Sequence, residues 1–127
     1  MLIVEDEPLV AFDNEYVLRD AGYRVVASVD TVDAAVETIH AGSPDLVLAD
    51  LHLSGGGTGV DVAQAAHDAG VPVIFVTGAC PEAARALAIG CLAKPYSQRD
   101  LLAAIDAVDA KIAGRAPKRL PRGFTLF

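Results

Sequence analysis

No apolar run in the 127 residues approaches the ~20 needed to cross a bilayer. No basic-then-apolar stretch opens the chain either, so neither a membrane helix nor a secretory leader is expected. Cysteine is scarce: Cys80 and Cys91 are the only two, and their spacing matches no metal site or disulfide framework. A reducing, cytoplasmic setting is therefore the expected location. Acidic residues are absent after Asp109. The tail from Gly114 carries Arg115, Lys118, Arg119 and Arg122 for a net +4, whereas residues 1–113 carry six basic and seventeen acidic residues for a net −11. An acidic body repels phosphates at long range, which argues against nucleic acid as a partner. The tail either docks on an acidic surface or extends into solvent.

What is present is a compact composition, 53% hydrophobic and 21% charged, in a chain long enough for one sizeable core. We expect one domain over residues 1–113, followed by the basic tail, 114–127. Short β-branched runs alternate with longer amphipathic ones. Leu2-Ile3-Val4 reads as a buried strand, and Pro8 suits the first turn of a helix with Leu9, Phe12 and Tyr16 on one face. Tyr23 to Val29 reads as a second strand. Asp30 or Thr31 caps a helix through Val32, Val36 and Ile39. Leu46 to Ala49 forms a third strand, Gly59 to Ala69 a helix, Val73 to Val76 a fourth strand and Cys91 to Ala93 a fifth. Only about two helical turns fit between Pro81 and Ile89. Ser97-Gln-Arg-Asp100 has the form of a capping box and opens a last helix with Leu101, Ile105, Val108 and Ile112 on one face. Strands alternating with helices imply an α/β fold: a parallel sheet, doubly wound, with helices on both faces.

Such sheets place their sites at the carboxyl ends of the strands. Glu5, Asp6 and Glu7 follow strand one, Asp50 follows strand three, Thr77-Gly78 strand four and Lys94-Pro95 strand five. Taken singly, each has an ordinary reading as a helix start, a turn, a cap or a loop charge. Taken together they converge on one edge, where carboxylates about 4 Å apart repel by about 4 kcal/mol near a protein surface. A hard divalent cation, magnesium, would relieve that repulsion. Lys94 offers a point charge for a phosphoryl oxygen, and Thr77 a hydroxyl donor. A carboxylate nucleophile beside a cation and a lysine is equipped to take a phosphoryl group onto itself. The glycine run Gly55-Gly56-Gly57-Thr58-Gly59 fits neither phosphate-binding glycine motif and reads as a flexible loop beside the site. His40 and His67 fall in helices, on the surface.

The segments "LIVEDEP", "DLVLADLHLSGGGTG", "VIFVTG" and "LAKPY", in this order from Leu2 to Ile112, closely resemble the receiver domain of two-component response regulators. The resemblance implies a five-stranded flavodoxin-like (CheY-like) sheet of order 2-1-3-4-5. It implies Asp50 as phosphoacceptor, with magnesium held by Glu5, Asp6, Asp50 and the backbone carbonyl of His52. Thr77 matches the switch hydroxyl, Lys94 the phosphoryl-pairing lysine and Pro95 the proline that follows it. Two departures stand out. Cys91 occupies the place of the usual aromatic switch partner, and the stretch from Thr77 to Lys94 is short, so the fourth helix is expected to be truncated or loop-like. "IFVTGA" resembles a subgroup of stand-alone receivers altered in that region.

The expected function is acceptance of a phosphoryl group on Asp50 from a histidine kinase or phosphotransfer protein, switching an unidentified protein partner. Magnesium-dependent self-phosphorylation and self-dephosphorylation would be its only chemistry; it is not expected to be an enzyme otherwise. The rivals are an adaptor working without phosphorylation and a phosphate sink. A hydrolase of the haloacid-dehalogenase type needs a second acid two residues past the nucleophile, where His52 stands.

Overall fold

The computed structural model describes the chain apart from residues Ser43, Ser54, Gly55, Gly56 and Lys118 and the side chains of Ala83 and Ala84. Six strands form one sheet: β1 (Leu2–Val4), β2 (Ala27–Val29), β3 (Val47–Asp50), β4 (Val73–Thr77), β5 (Gly90–Ala93) and β6 (Phe124–Leu126), in the order β2-β1-β3-β4-β5-β6. The first five run parallel, as expected, and β6 pairs antiparallel with β5. Among the described residues, four α-helices connect or flank them: α1 (Pro8–Asp20), α2 (Val32–His40), α3 (Gly59–Asp68) and α4 (Gln98–Ile112). Between β4 and β5 the chain makes only a short 3-10 turn, Glu82–Ala86. The expected shortening of this connection is therefore present.

Alternation along each strand divides the core in two. Ile3, Leu48, Ile74, Val76 and Leu92 pack on one face with Leu18, Leu101, Ile105 and Val108. Leu2, Val4, Val47, Val73, Phe75 and Cys91 pack on the other with Ala35, Ile39, Val62, Ala63 and Ala66. Helix starts are fixed by side chains that accept otherwise orphaned N–H groups. Thr31 Oγ1 caps α2 through the N–H of Ala34, and Ser97 Oγ caps α4 through that of Asp100. Thr58 and Asp61 form a reciprocal capping box at α3.

Four sequence expectations need correction. In α1 the buried residues are Asn14, Val17 and Leu18, while Leu9, Phe12 and Tyr16 are 80%, 69% and 64% exposed. The helix has two apolar stripes, and periodicity alone does not say which one faces the sheet. Strand β2 is shorter than Tyr23–Val29, because β1 offers only three residues to pair with it. Ile112, at the end of α4, is exposed. The tail neither extends into solvent nor rests only on charge: it supplies β6. Phe124 is buried in the α4-side core, and Phe127 donates its N–H to the carbonyl of Ile89.

Gly90 makes room for this strand. A Cβ there would lie 2.7 Å from the Phe124 ring. Truncating the ring by Phe124→Ala should lower the unfolding free energy by about 3 kcal/mol and open the tail to protease before the rest of the domain. Urea denaturation and timed proteolysis measure this. A change under about 1 kcal/mol with the tail still protected would show that β6 does not depend on the ring.

Candidate functional site

The parallel strands deliver their carboxyl ends to one edge. Val4 of β1 is followed by Glu5 and Asp6, β3 ends in Asp50, β4 ends in Thr77 and β5 is followed by Lys94. Register sets their spacing: Ala49 lies opposite Val4 on one side of β3, Asp50 lies opposite Val76 on the other, and Thr77 lies opposite Ala93. Glu5, Asp50 and Thr77 are buried. The Lys94 ammonium donates to Glu5 Oε1 at 2.9 Å and to Asp50 Oδ2 at 3.0 Å. The second Asp50 oxygen accepts the N–H of His52 at 3.0 Å, and Glu5 Oε2 accepts the N–H of Glu7 at 3.3 Å.

Asp6 completes the group. One carboxylate oxygen from each of Glu5, Asp6 and Asp50 lies within 4.8 Å of the others. Three hard oxygen donors so placed, at the rim of a sheet, suit a small divalent cation.

The electrostatics follow from crowding. Burial pushes the Glu5 carboxyl up to about 7, and the Asp50 charge adds to the rise while Lys94 opposes it. Burial also works against the Asp50 carboxylate, but the His52 N–H, the Glu5 side chain and Lys94 outweigh it and hold the group below its ordinary value. Burial likewise disfavours the Lys94 ammonium, yet its bonds to Glu5 and Asp50 raise its pKa. Glu5 therefore gains and loses its proton around neutral pH, while Asp50 keeps its charge.

The backbone fixes Lys94. Its N–H donates to the carbonyl of Thr77 at 2.8 Å, and the Lys94–Pro95 peptide is cis. Beyond Pro95, the Tyr96 hydroxyl donates to Asn14 Oδ1 at 3.1 Å and accepts from Asn14 Nδ2 at 2.8 Å, tying the turn to α1. The side chain of His52 is exposed and its backbone forms a bridge with Thr58.

Cys91 differs from its expected state. It is bonded to Cys80 as a disulfide, with Cα atoms 6.2 Å apart. The short connection after β4 folds back over β5, a proximity that spacing along the chain does not reveal. Gly59 is a site residue that sequence reasoning missed. A Cβ there would lie 2.2 Å from the Asp50 carbonyl oxygen, so α3 starts against the backbone of the acid itself. Its position at the end of the glycine run was the available signal; Gly55 and Gly56 of that run lie outside the described residues.

A consequence for stability follows. Folding raises Glu5 from an ordinary 4.5 to about 7, so between these values the unfolded chain gives up a proton that the folded one keeps. In metal-free buffer this contribution is fully present below about pH 4.5 and is lost as pH rises through 7. The loss is on the order of 3 kcal/mol. Glu5→Gln should flatten this decline relative to the wild type in urea denaturation with chelator across that window; parallel profiles would contradict it.

Comparison with known proteins agrees with this geometry. Residues 1–106 match the family model of the response regulator receiver domain. The chain is 40% identical over 114 residues to the sensory transduction protein RegX3 of Mycobacterium tuberculosis, covering 85% of this chain and 49% of that protein. It is 40% identical over 84 residues to the phyllosphere-induced regulator PhyR of Methylorubrum extorquens, covering 65% of this chain and 31% of that protein. It thus spans half or less of these two relatives. Among solved structures, the signal receiver domain of a modulated diguanylate cyclase from Desulfovibrio desulfuricans G20 superposes with a TM-score of 0.76 at 32% identity, covering 90% of this chain and 96% of that one. The BeF3-activated conformation of SdrG from Pseudomonas melonis Fr1 gives 0.70 at 32%, covering 84% and 92%. The chain belongs to the receiver domain family of two-component response regulators.

Proposed function

We propose that Asp50 accepts a phosphoryl group from the phosphohistidine of a histidine kinase or phosphotransfer protein. The observation that carries this reading is the Lys94 ammonium held between Asp50 and Glu5, with Asp6 beside them. The carboxylate is kept ionised and pinned by the His52 N–H, which leaves it poised as a nucleophile. It attacks phosphorus as the P–N bond to the donor imidazole breaks. Lys94 is placed to follow the transferred oxygens, and Thr77, one residue beyond the position opposite Asp50, is the hydroxyl closest in register.

Glu5, Asp6, Asp50 and the His52 carbonyl would hold magnesium, which neutralises the phosphoryl charge when bound. The chemistry is confined to self-phosphorylation and hydrolysis of the resulting acyl phosphate, with no other substrate turned over. The cytoplasm is the compartment in which such a donor acts.

The donor needs a docking face. Helix α1 starts three residues after Glu5 and presents the exposed stripe Leu9, Phe12 and Tyr16. Apolar surface concentrated beside a reactive edge is suited to a partner helix. We infer that this stripe receives the donor protein.

Two experiments test the reading. Incubation with acetyl phosphate and magnesium should add one phosphoryl mass to the intact protein and none to Asp50→Asn; an unchanged mass with small donors and kinases alike would overturn the proposal. Phe12→Ala should slow transfer from a phosphohistidine protein by roughly tenfold, the worth of about 1.4 kcal/mol at an interface anchor, while labelling by acetyl phosphate stays at the wild-type rate. Equal slowing with both donors would place Phe12 in the fold rather than in docking.

A further inference from the structure

The geometry points to the Cys80–Cys91 pair as a reversible redox site that sets whether the segment between β4 and β5 is held or free. The pair is asymmetric. Cys91 is fully buried in β5, opposite Phe75 of β4, whereas Cys80 is exposed on the loop that leaves β4. One end of the bond is thus fixed in the sheet and the other lies where a reagent in solution can reach it.

Leu87 and Ala88 of the segment it ties pack on the α2–α3 core, but the part before them has little else to hold it. Every residue described for burial from Gly78 to Ala86 is exposed. Its ion pair, Arg85 with Glu82, spans 3.9 Å between two exposed side chains, a contact of small worth in water. Arg85 also lies over the Phe127 ring at 5.2 Å, and the next backbone anchor is Ile89, whose N–H donates to Val73. The bond closes a loop across a separation of 11 residues, removing conformations from the segment wherever they are most numerous.

Position gives the site its consequence. Cys80 follows Thr77 by three residues and Cys91 precedes Lys94 by three, so the bond couples the strand ends that carry two groups of the candidate phosphoryl site. With the bond closed, the chain after Thr77 is tethered to β5; with it open, that chain can move when charge at Asp50 changes. This last step rests on the proposed phosphorylation of Asp50, whereas the redox control of the segment does not.

The exchange balances with a low-molecular-weight thiol as co-reactant. A thiolate attacks Cys80 Sγ, the bond to Cys91 breaks, and the Cys91 sulfur leaves and takes up a proton. A second thiolate attacks the mixed disulfide, giving the small-molecule disulfide and the Cys80 thiol. The reduced Cys91 stays a small apolar side chain in its core site, so opening the bond leaves the sheet intact.

The test compares the full chain equilibrated with oxidised glutathione against the same chain reduced with dithiothreitol. Thiol titration should count no free thiol in the first and two in the second. Deuterium exchange over residues 78–90 should rise severalfold on reduction, with β1, β3 and α3 unchanged, and Cys80→Ser, an exposed substitution, should show the fast exchange in both buffers. Addition of magnesium and beryllium fluoride should then alter exchange in 78–90 only in the reduced protein. The proposal is overturned if two thiols persist under oxidised glutathione, if exchange is the same in both states, or if Cys80→Ser exchanges as slowly as the oxidised wild type. Acetyl phosphate labelling run alongside reports on Asp50 alone, so failure there is read separately from failure of the redox site.

Discussion

The Lys94 ammonium, shared between Glu5 and Asp50, is the contact on which the edge of the sheet depends. Two buried carboxylates this close would otherwise force each other to take up protons. The lysine resolves the conflict unequally: Asp50 stays ionised, while Glu5 titrates around neutrality. Each partner is set by a different strand, and the position of the cation is fixed by its own backbone bond to Thr77. The parallel topology is thus what permits the charge arrangement, and the charge arrangement is what gives the topology a chemical use.

Much of this was legible in the sequence because it depends on order along the chain. The apolar strands, and the acids, hydroxyl and lysine that follow them, fall on one edge once the sheet is parallel, and Asp50, Glu5, Asp6 and Lys94 meet as expected. What stayed hidden depends on contacts between distant segments. The inward face of α1 is chosen by partners such as Tyr96, 82 residues from Asn14, which no periodicity records. The closeness of Cys80 to Cys91 arises from a loop folding back, and β6 from a tail whose basic residues give Phe124 and Phe127 no strand pattern. Gly59 was visible only as one glycine among several, since what it approaches is backbone.

The short connection between β4 and β5 and the added strand belong together. With only a 3-10 turn to cover this flank, the chain brings Phe127 back against the α2–α3 core and Phe124 into the α4 core. Two aromatic rings from the tail close both faces beside β5. A disulfide then fixes what lies between them.

Occupation of β5 by β6 also limits how copies of this domain could meet. The sheet ends on one side in a strand contributed by its own tail and on the other in the three residues of β2. Joining two sheets edge to edge would have to build on one of two three-residue strands, β2 or the outer side of β6.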